Sequence, residues 1–365
     1  MNTSTPSPGV APTGRWLLYG ANGYTGSLIA EEAVQRGLSP IVAGRRADSI
    51  LALAERLGCE HRVFSLDHAQ EIDTALDGVS LVLHCAGPFA DTADAMIAAC
   101  LRTGTQYMDI DGEIPVLEAI FARHEEAREC GITLLPGCGY DVVPTDCLAL
   151  MLKEQLPDAV ELRIAMGGKA SLSPGTLKVT IETIPGGGSI RENGEVKRVP
   201  HAWRIRSVRF DDRQRCTITI PWGDIVTAWH STGIPNISVS GAVPWPTAIA
   251  MRLARGLLST LLGVNRIRRS VQGFVSRTVR GPDAHARRNN TMHLRGDVWN
   301  ASGEHRCLFM HTPEGYACTV ETALAILPRL LRGDLPPGAW TPAQVLGSGF
   351  ATTIPGISVL PCDGV

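Results

Sequence analysis

Between residues 15 and 136, short apolar, β-branched runs alternate with stretches whose apolar positions recur every three or four residues. The runs 16–19, 41–43, 62–65, 81–84, 107–110 and 132–135 predict strands, and segments near 24–36, 48–57, 69–76, 91–102 and 114–129 predict helices. Six strands joined by five helical crossovers are the pattern of a doubly wound parallel sheet of the Rossmann type. After Leu156-Pro157 the alternation stops. Runs 160–166, 176–183 and 216–220 read as strands, 257–264 and 271–278 as helix, and 291–298 with 305–311 as a hairpin turning at Asn300-Ala-Ser-Gly303. The expected class is α/β: a Rossmann doubly wound parallel sheet over 15–150, then a second mixed α/β domain over 151–365. A helix near 321–331 is expected to return to the first domain. Residues 1–14, rich in Ser, Thr, Pro and Gly, read as a flexible tail.

Composition narrows the class of protein. A chain of 365 residues exceeds the usual size of one core, which agrees with two domains. With 44% hydrophobic and 19% charged residues and a net charge of -2, it reads as soluble and globular, and nucleic acid is excluded as a partner. Ten cysteines without a CxxC pair, and no secretory leader, predict reduced thiols and a cytoplasmic protein. The apolar stretch 243–264 is opened by Pro244 and Pro246 and broken by Arg252 and Arg255. It suits an amphipathic helix, seated at most on a partner or a membrane surface, and not a transmembrane span.

Candidate chemistry begins where the first strand turns into the first helix. Gly20, Ala21, Asn22, Gly23, Tyr24, Thr25 and Gly26 form a GxxGxxG turn that lets main-chain N–H groups approach a pyrophosphate, although a purely structural turn has the same pattern. The second strand ends in Gly44-Arg45-Arg46 instead of the carboxylate that would bind a ribose 2′-hydroxyl. Arg45 and Arg46 can pair with a 2′-phosphate, so the expected cofactor is NADP(H); solvated surface arginines are the competing reading. Asp67 could accept from adenine or cap the helix that follows it. Cys85, Ala86, Gly87, Pro88 and Phe89 follow the fourth strand, where a sheet of this kind places the nicotinamide half.

These blocks resemble the saccharopine dehydrogenase-like family, including its trans-acting enoyl reductase branch. The resemblance rests on Tyr19-Gly-Ala-Asn-Gly-Tyr-Thr-Gly26, Ala43-Gly-Arg45, Ala86-Gly-Pro-Phe89, Tyr107-Met-Asp-Ile-Asp-Gly-Glu113 and Pro136-Gly-Cys-Gly-Tyr-Asp-Val-Val-Pro-Thr-Asp146. It continues in Ile220-Pro-Trp-Gly-Asp224, Ser231-Thr-Gly-Ile-Pro-Asn236, Thr312-Pro-Glu-Gly-Tyr316 and Gly338-Ala-Trp-Thr-Pro342. It implies a nicotinamide-dependent oxidoreductase whose substrate lies between the two domains. No basic cluster for a dicarboxylic amino acid is evident, and 167–188 is rich in small residues, so a small-molecule or carrier-bound acyl substrate is expected, reduced at an enoyl C=C or an imine.

Hydride chemistry belongs to the cofactor, so the protein has to supply position and a proton. No Tyr-x-x-x-Lys, HExxH or compact ligand set is present, and no metal is expected. Tyr140 and Asp141, after the sixth strand, are the preferred pair, Tyr140 donating or stacking and Asp141 orienting it; packing and capping are the bland alternatives. Cys138 reads as a small buried residue. Asp109, Asp111 and Glu113 crowd together after the fifth strand and could share a proton or cap a helix. His230 is the histidine expected in the cleft, against a satisfied packing role. A nucleotide-binding protein without catalysis is the alternative function, and a homodimer is compatible with either.

Overall fold

The computed structural model describes residues 14–168, 173–279 and 281–362. Most of the expected tail, residues 1–13, lies outside them. The first domain runs β1 (Trp16–Tyr19), α1 (Tyr24–Gln35), β2 (Ile41–Gly44), α2 (Ala47–Leu57), β3 (His61–Val63), α3 (Ala69–Ala75), β4 (Leu81–His84), α4 (Phe89–Thr103), β5 (Gln106–Asp109), α5 (Ile114–Phe121), α6 (His124–Glu129) and β6 (Thr133–Leu135). The helix expected over 114–129 is thus two, separated at Ala122 and Arg123. β1, β2 and β4 are buried on both faces, which is why they read as continuous apolar runs.

The chain continues through α7 (Val143–Gln155), β7 (Ala159–Gly168), α8 (Pro174–Thr183), β8 (Gly188–Glu192), β9 (Glu195–Val199), β10 (Ile205–Arg209), β11 (Gln214–Thr219), α9 (Asp224–Thr232) and β12 (Asn236–Ala242). It ends with α10 (Trp245–Gly263), α11 (Asn265–Thr278), α12 (Ala284–Asn289), β13 (Thr291–Asn300), β14 (His305–Pro313), α13 (Gly315–Leu331), β15 (Gly338–Ala339), α14 (Pro342–Leu346) and β16 (Ser358–Pro361). Segment 176–183, expected as a strand, is the helix α8. Its β-branched residues favour a strand, but Ser173 Oγ accepts from Thr176 N (3.3 Å) at its start and α11 packs along it.

The first sheet has seven strands in the order β15-β6-β5-β4-β1-β2-β3, with every pair parallel. Six were expected; the seventh, β15, comes from the far end of the chain. α13 also returns, packing on α1, where Arg36 pairs with Glu321. The second sheet is mixed, ordered β10-β11-β12-β7-β13-β14-β16 with β8 and β9 joined at its side. Beside the second sheet α7 is buried from Val143 to Ala149, and Leu148 and Leu152 press so closely on β13 that a Cβ at Gly296 would stand 2.5 Å from Leu152. One continuous core therefore runs through both domains.

A disulfide, Cys307–Cys362, corrects the expectation of reduced thiols throughout; the other eight cysteines are free. Fifty-five residues separate the pair, so spacing could not reveal it. The antiparallel register of β14 and β16, Leu308 against Pro361, is what sets them side by side.

Candidate active site

A cleft of about 1960 Å³ opens between the two sheets at the carboxyl ends of β1 to β6. Its floor is the glycine turn. Gly20 adopts φ +81, and a Cβ there would lie 2.7 Å from Ala86 N, so only glycine fits between the strand end and the neighbouring loop. A Cβ at Gly26 would lie 2.4 Å from Gly20 O, which makes this glycine the close contact between α1 and β1. No side chain caps the start of α1, leaving its first N–H groups and helix dipole for an anion. Ala21 and Gly26 pack behind the turn; Gly20, Asn22, Gly23, Tyr24 and Thr25 line the cleft.

At the adenosine end Arg45 and Arg46 are exposed and line the cleft with Ser65 and Asp67. With its amide oxygen toward Arg46, Asn22 accepts from Nη2 (2.9 Å) and Nε (3.2 Å), which fixes that guanidinium above the turn. Arg45 keeps its face to the cleft. Asp67 does not cap α3: its carboxylate accepts from Ser65 Oγ (2.8 Å), and the cap position is His68. Tyr19, beneath Arg45, has its phenol pushed up to about 12 by burial, opposed by Arg45.

The segment Cys85–Phe89 crosses the middle of the cleft, with a cis peptide at Gly87–Pro88. Thr92 Oγ1 donates to Ala86 O (2.6 Å), and His84 Nε2 lies 3.0 Å from the same hydroxyl. Burial holds His84 down to about 3, so its ring is neutral. Glu113 accepts from Phe89 N and Ala90 N, which closes the start of α4 against the loop after β5.

The carboxylates after β5 divide into different tasks. Asp109 accepts from Tyr107 OH, Asp111 N and Gly137 N (2.8, 2.9 and 2.8 Å) and is a buried brace, raised to about 6 by burial. Asp111 accepts from Glu113 N (2.8 Å), and its other oxygen has no partner. Burial and then the charge of Asp109 push Asp111 well above the usual carboxylate range. Asp111 lines the cleft, and Asp109 does not.

Tyr140 and Asp141 both reach the cleft, but they do not hydrogen-bond to each other. Tyr140 packs on Gly315, its amide donates to Thr319 Oγ1 (3.1 Å), and its buried hydroxyl has no partner. Burial pushes that phenol far up, which makes it a reluctant acid. Asp141 is partly exposed, and burial raises its carboxyl to about 6. It does not cap α7, whose cap position is Val142 without a side-chain bond; its main-chain oxygen accepts from Trp222 Nε1 (2.9 Å). His230 is not in the cleft. It sits on the last turn of α9 with its ring stacked 4.0 Å from Phe121, and burial lowers its pKa.

The opposite wall contains residues that sequence reasoning missed. Met166, Ile220, Trp222 and Met292 give it an apolar surface, and Glu314 and Tyr316 close one side. Tyr316 OH accepts from Ser173 N (2.6 Å) and meets Thr176 Oγ1 (2.9 Å), while its ring stands edge-on to Tyr24 at 4.9 Å. Lys178, Arg191 and Arg198 also line the cleft. They come from α8, β8 and β9, a helix mistaken for a strand and two strands not anticipated. Arg191 is already engaged: it donates to Ile225 O (2.6 Å) and Gly194 O and lies over Trp229.

Residues 16–135 match the family model of the saccharopine dehydrogenase NADP binding domain. The match spans the first domain from β1 to β6. Two curated relatives are a saccharopine dehydrogenase-like oxidoreductase of Bos taurus, 30% identical over 150 residues, and a trans-acting enoyl reductase of Mycobacterium leprae, 32% identical over 138 residues. Each match covers 36% of this chain and 35% or 33% of the relative, so the chain spans about a third of the length of these two proteins. The apo saccharopine dehydrogenase (L-Glu forming) of Saccharomyces cerevisiae shares the fold across 95% of this chain and 100% of its own, with a TM-score of 0.60 at 11% identity. NADP(H) fits the first domain on its own geometry too, since a glycine cradle, an uncapped helix start and a cationic strand end all line one cleft.

Proposed function

We propose that the protein is an NADP(H)-dependent reductase of an acyl-type substrate, acting on an enoyl C=C or an imine in the cleft between its domains. The observation that carries this is Asp141: a carboxyl raised to about 6 stands in the cleft beyond the cofactor loop, facing an apolar wall. When bound, the cofactor supplies the hydride. Arg45 holds the 2′-phosphate, the segment Cys85–Phe89 shapes the pocket for the nicotinamide ring, and Asp141 delivers the proton that completes reduction. Met166, Trp222 and Met292 exclude water from the reacting carbon and accept an alkyl chain. Lys178 and Arg198 suit an anionic handle on that chain, such as a phosphate on a carrier's thioester arm, and the enoyl reductase name of the mycobacterial relative favours the same class.

NADPH oxidation with a panel of enals, cyclic imines and acyl thioesters tests the reading. Turnover with one class is expected, and Asp141→Asn should cut kcat by about 10²- to 10⁴-fold without changing NADPH affinity. NADPH binding without turnover on any of them would replace the enzyme by a nucleotide-binding protein.

A further inference from the structure

Two consecutive helices of the second domain present apolar side chains to solvent. On α10, Trp245, Ile249 and Leu253 recur every fourth residue and are 52, 51 and 81% exposed. On α11, Ile267, Val271 and Phe274 repeat at helical spacing and are 38, 36 and 67% exposed. Residues three and four apart share a helix face, so each set is a stripe. Val264, which lies between the helices, and Leu261 are exposed as well and carry the apolar surface across the junction. Single exposed apolar residues need no explanation, whereas a contiguous set marks something that covers it.

The charge on these helices says what. Between Asp224 and Asp283 the chain has seven arginines and neither an acidic residue nor a lysine, although the net charge of the whole is -2. Arg252, Arg266 and Arg269 are exposed on the same two helices. An apolar stripe bordered by arginine alone is the pattern of a helix lying in the headgroup layer, with its apolar face in the acyl boundary and its guanidinium groups among anionic heads. A second copy of the chain would instead set the same arginines against one another across a two-fold axis. Among the described residues no helix is long and apolar enough to cross a membrane.

We propose that α10 and α11 seat the protein on an anionic lipid surface. The seat adjoins the cleft: α11 packs on α8, where Gln272 Nε2 donates to Lys178 O (3.3 Å), and α10 packs on the turn Ile184–Gly186. Both of those elements line the cleft, so the docked face borders the wall opposite the cofactor loop. The inference goes beyond the reductase reading and does not depend on it.

Co-sedimentation of the full chain with vesicles tests it, using phosphatidylcholine alone and phosphatidylcholine with about 30 mol % phosphatidylserine. Partition onto the anionic vesicles is expected to be at least about tenfold stronger and to weaken as salt rises from about 0.1 to about 0.5 M. Leu253→Asp with Phe274→Asp, and separately Arg266→Glu with Arg269→Glu, should each lower it by about tenfold or more while NADPH binding is retained. The arginine pair keeps the test alive if the apolar pair fails to fold. No preference of the wild-type chain for anionic vesicles, or undiminished binding by the arginine variant, overturns the proposal. So does a result in which the apolar variant only turns a dimer into a monomer and still binds vesicles.

Discussion

The carboxylate of Glu113 accepts from the main-chain N–H groups of Phe89 (2.8 Å) and Ala90 (3.2 Å), a bond between two loops of the nucleotide sheet. Glu113 thus does for α4 what a cap residue within the helix would do, from 24 residues away. Glu113→Ala should cost about 1 kcal/mol of stability, read from urea unfolding, and raise the Kd for NADPH because the segment Cys85–Phe89 loses its anchor. Glu113→Gln, which keeps an acceptor, should recover most of both. An unchanged affinity in Glu113→Ala would show that the loop holds its shape without the bond.

Arg45→Ala is expected to weaken NADPH by about 1.5 to 3 kcal/mol, roughly 10- to 150-fold, and NADH little, because only the former offers the 2′-phosphate. Titration of both nucleotides by fluorescence checks it. Equal weakening would show that Arg45 does not read the 2′-phosphate.

Two glycines with positive φ predict different failures. Gly20→Ala puts a Cβ 2.7 Å from Ala86 N at a φ of +81, so stability and nucleotide binding should fall together. Gly233, at the end of α9, has a similar φ of +67 but open space around it. Gly233→Ala should therefore cost about 1 kcal/mol in a thermal melt and leave NADPH affinity alone.

Asp141 makes stability depend on pH. Its folded pKa of about 6 exceeds the ordinary aspartate value of 3.8, so between those values the native state binds more protons than the unfolded chain and stability falls as pH rises. The loss is complete above about pH 6 and absent below about pH 4. Asp141→Asn should accordingly raise stability at pH 8 by about 1 to 2 kcal/mol, after allowance for screening on its open side, and by almost nothing at pH 4. If Asp141 gives the proton in reduction, wild-type kcat should also decline above about pH 6. A destabilised Asp141→Asn at pH 8 would mean that the carboxylate is better held than its surroundings suggest.

The nucleotide half was legible because β1, β2, β4 and β6 are buried on both faces and its longer helices are amphipathic, so period and apolar content agree over most of the stretch from Trp16 to Leu135. β15 was not, since Gly338 and Ala339 are too few to show a period and owe their strand geometry to β6. α8 was misread because Thr176, Val179 and Thr180 favour extended backbone when taken alone, and packing on α11 decides otherwise. Among the site residues, Tyr140 and Asp141 were placed in the cleft by the rule for strand ends. His230 was placed there by residue type, and a helical turn carried it to Phe121 instead. The wall of Met166, Trp222 and Met292 had no local signal, for it exists only once two sheets face each other.

The seventh strand also bears on what can be cut away. β6 has β5 on one side and β15 on the other, and β15 arrives some 200 residues after β6, held by Thr133 Oγ1 donating to Pro336 O (3.0 Å) and by Trp340 N donating to Leu134 O (3.0 Å). A fragment ending near residue 150 would leave β6 as a bare, apolar edge and remove the helix that covers α1. The nucleotide domain is thus discontinuous in the chain: its last strand follows every strand of the second sheet but β16, and amino-terminal fragments lacking it should aggregate where the whole chain folds.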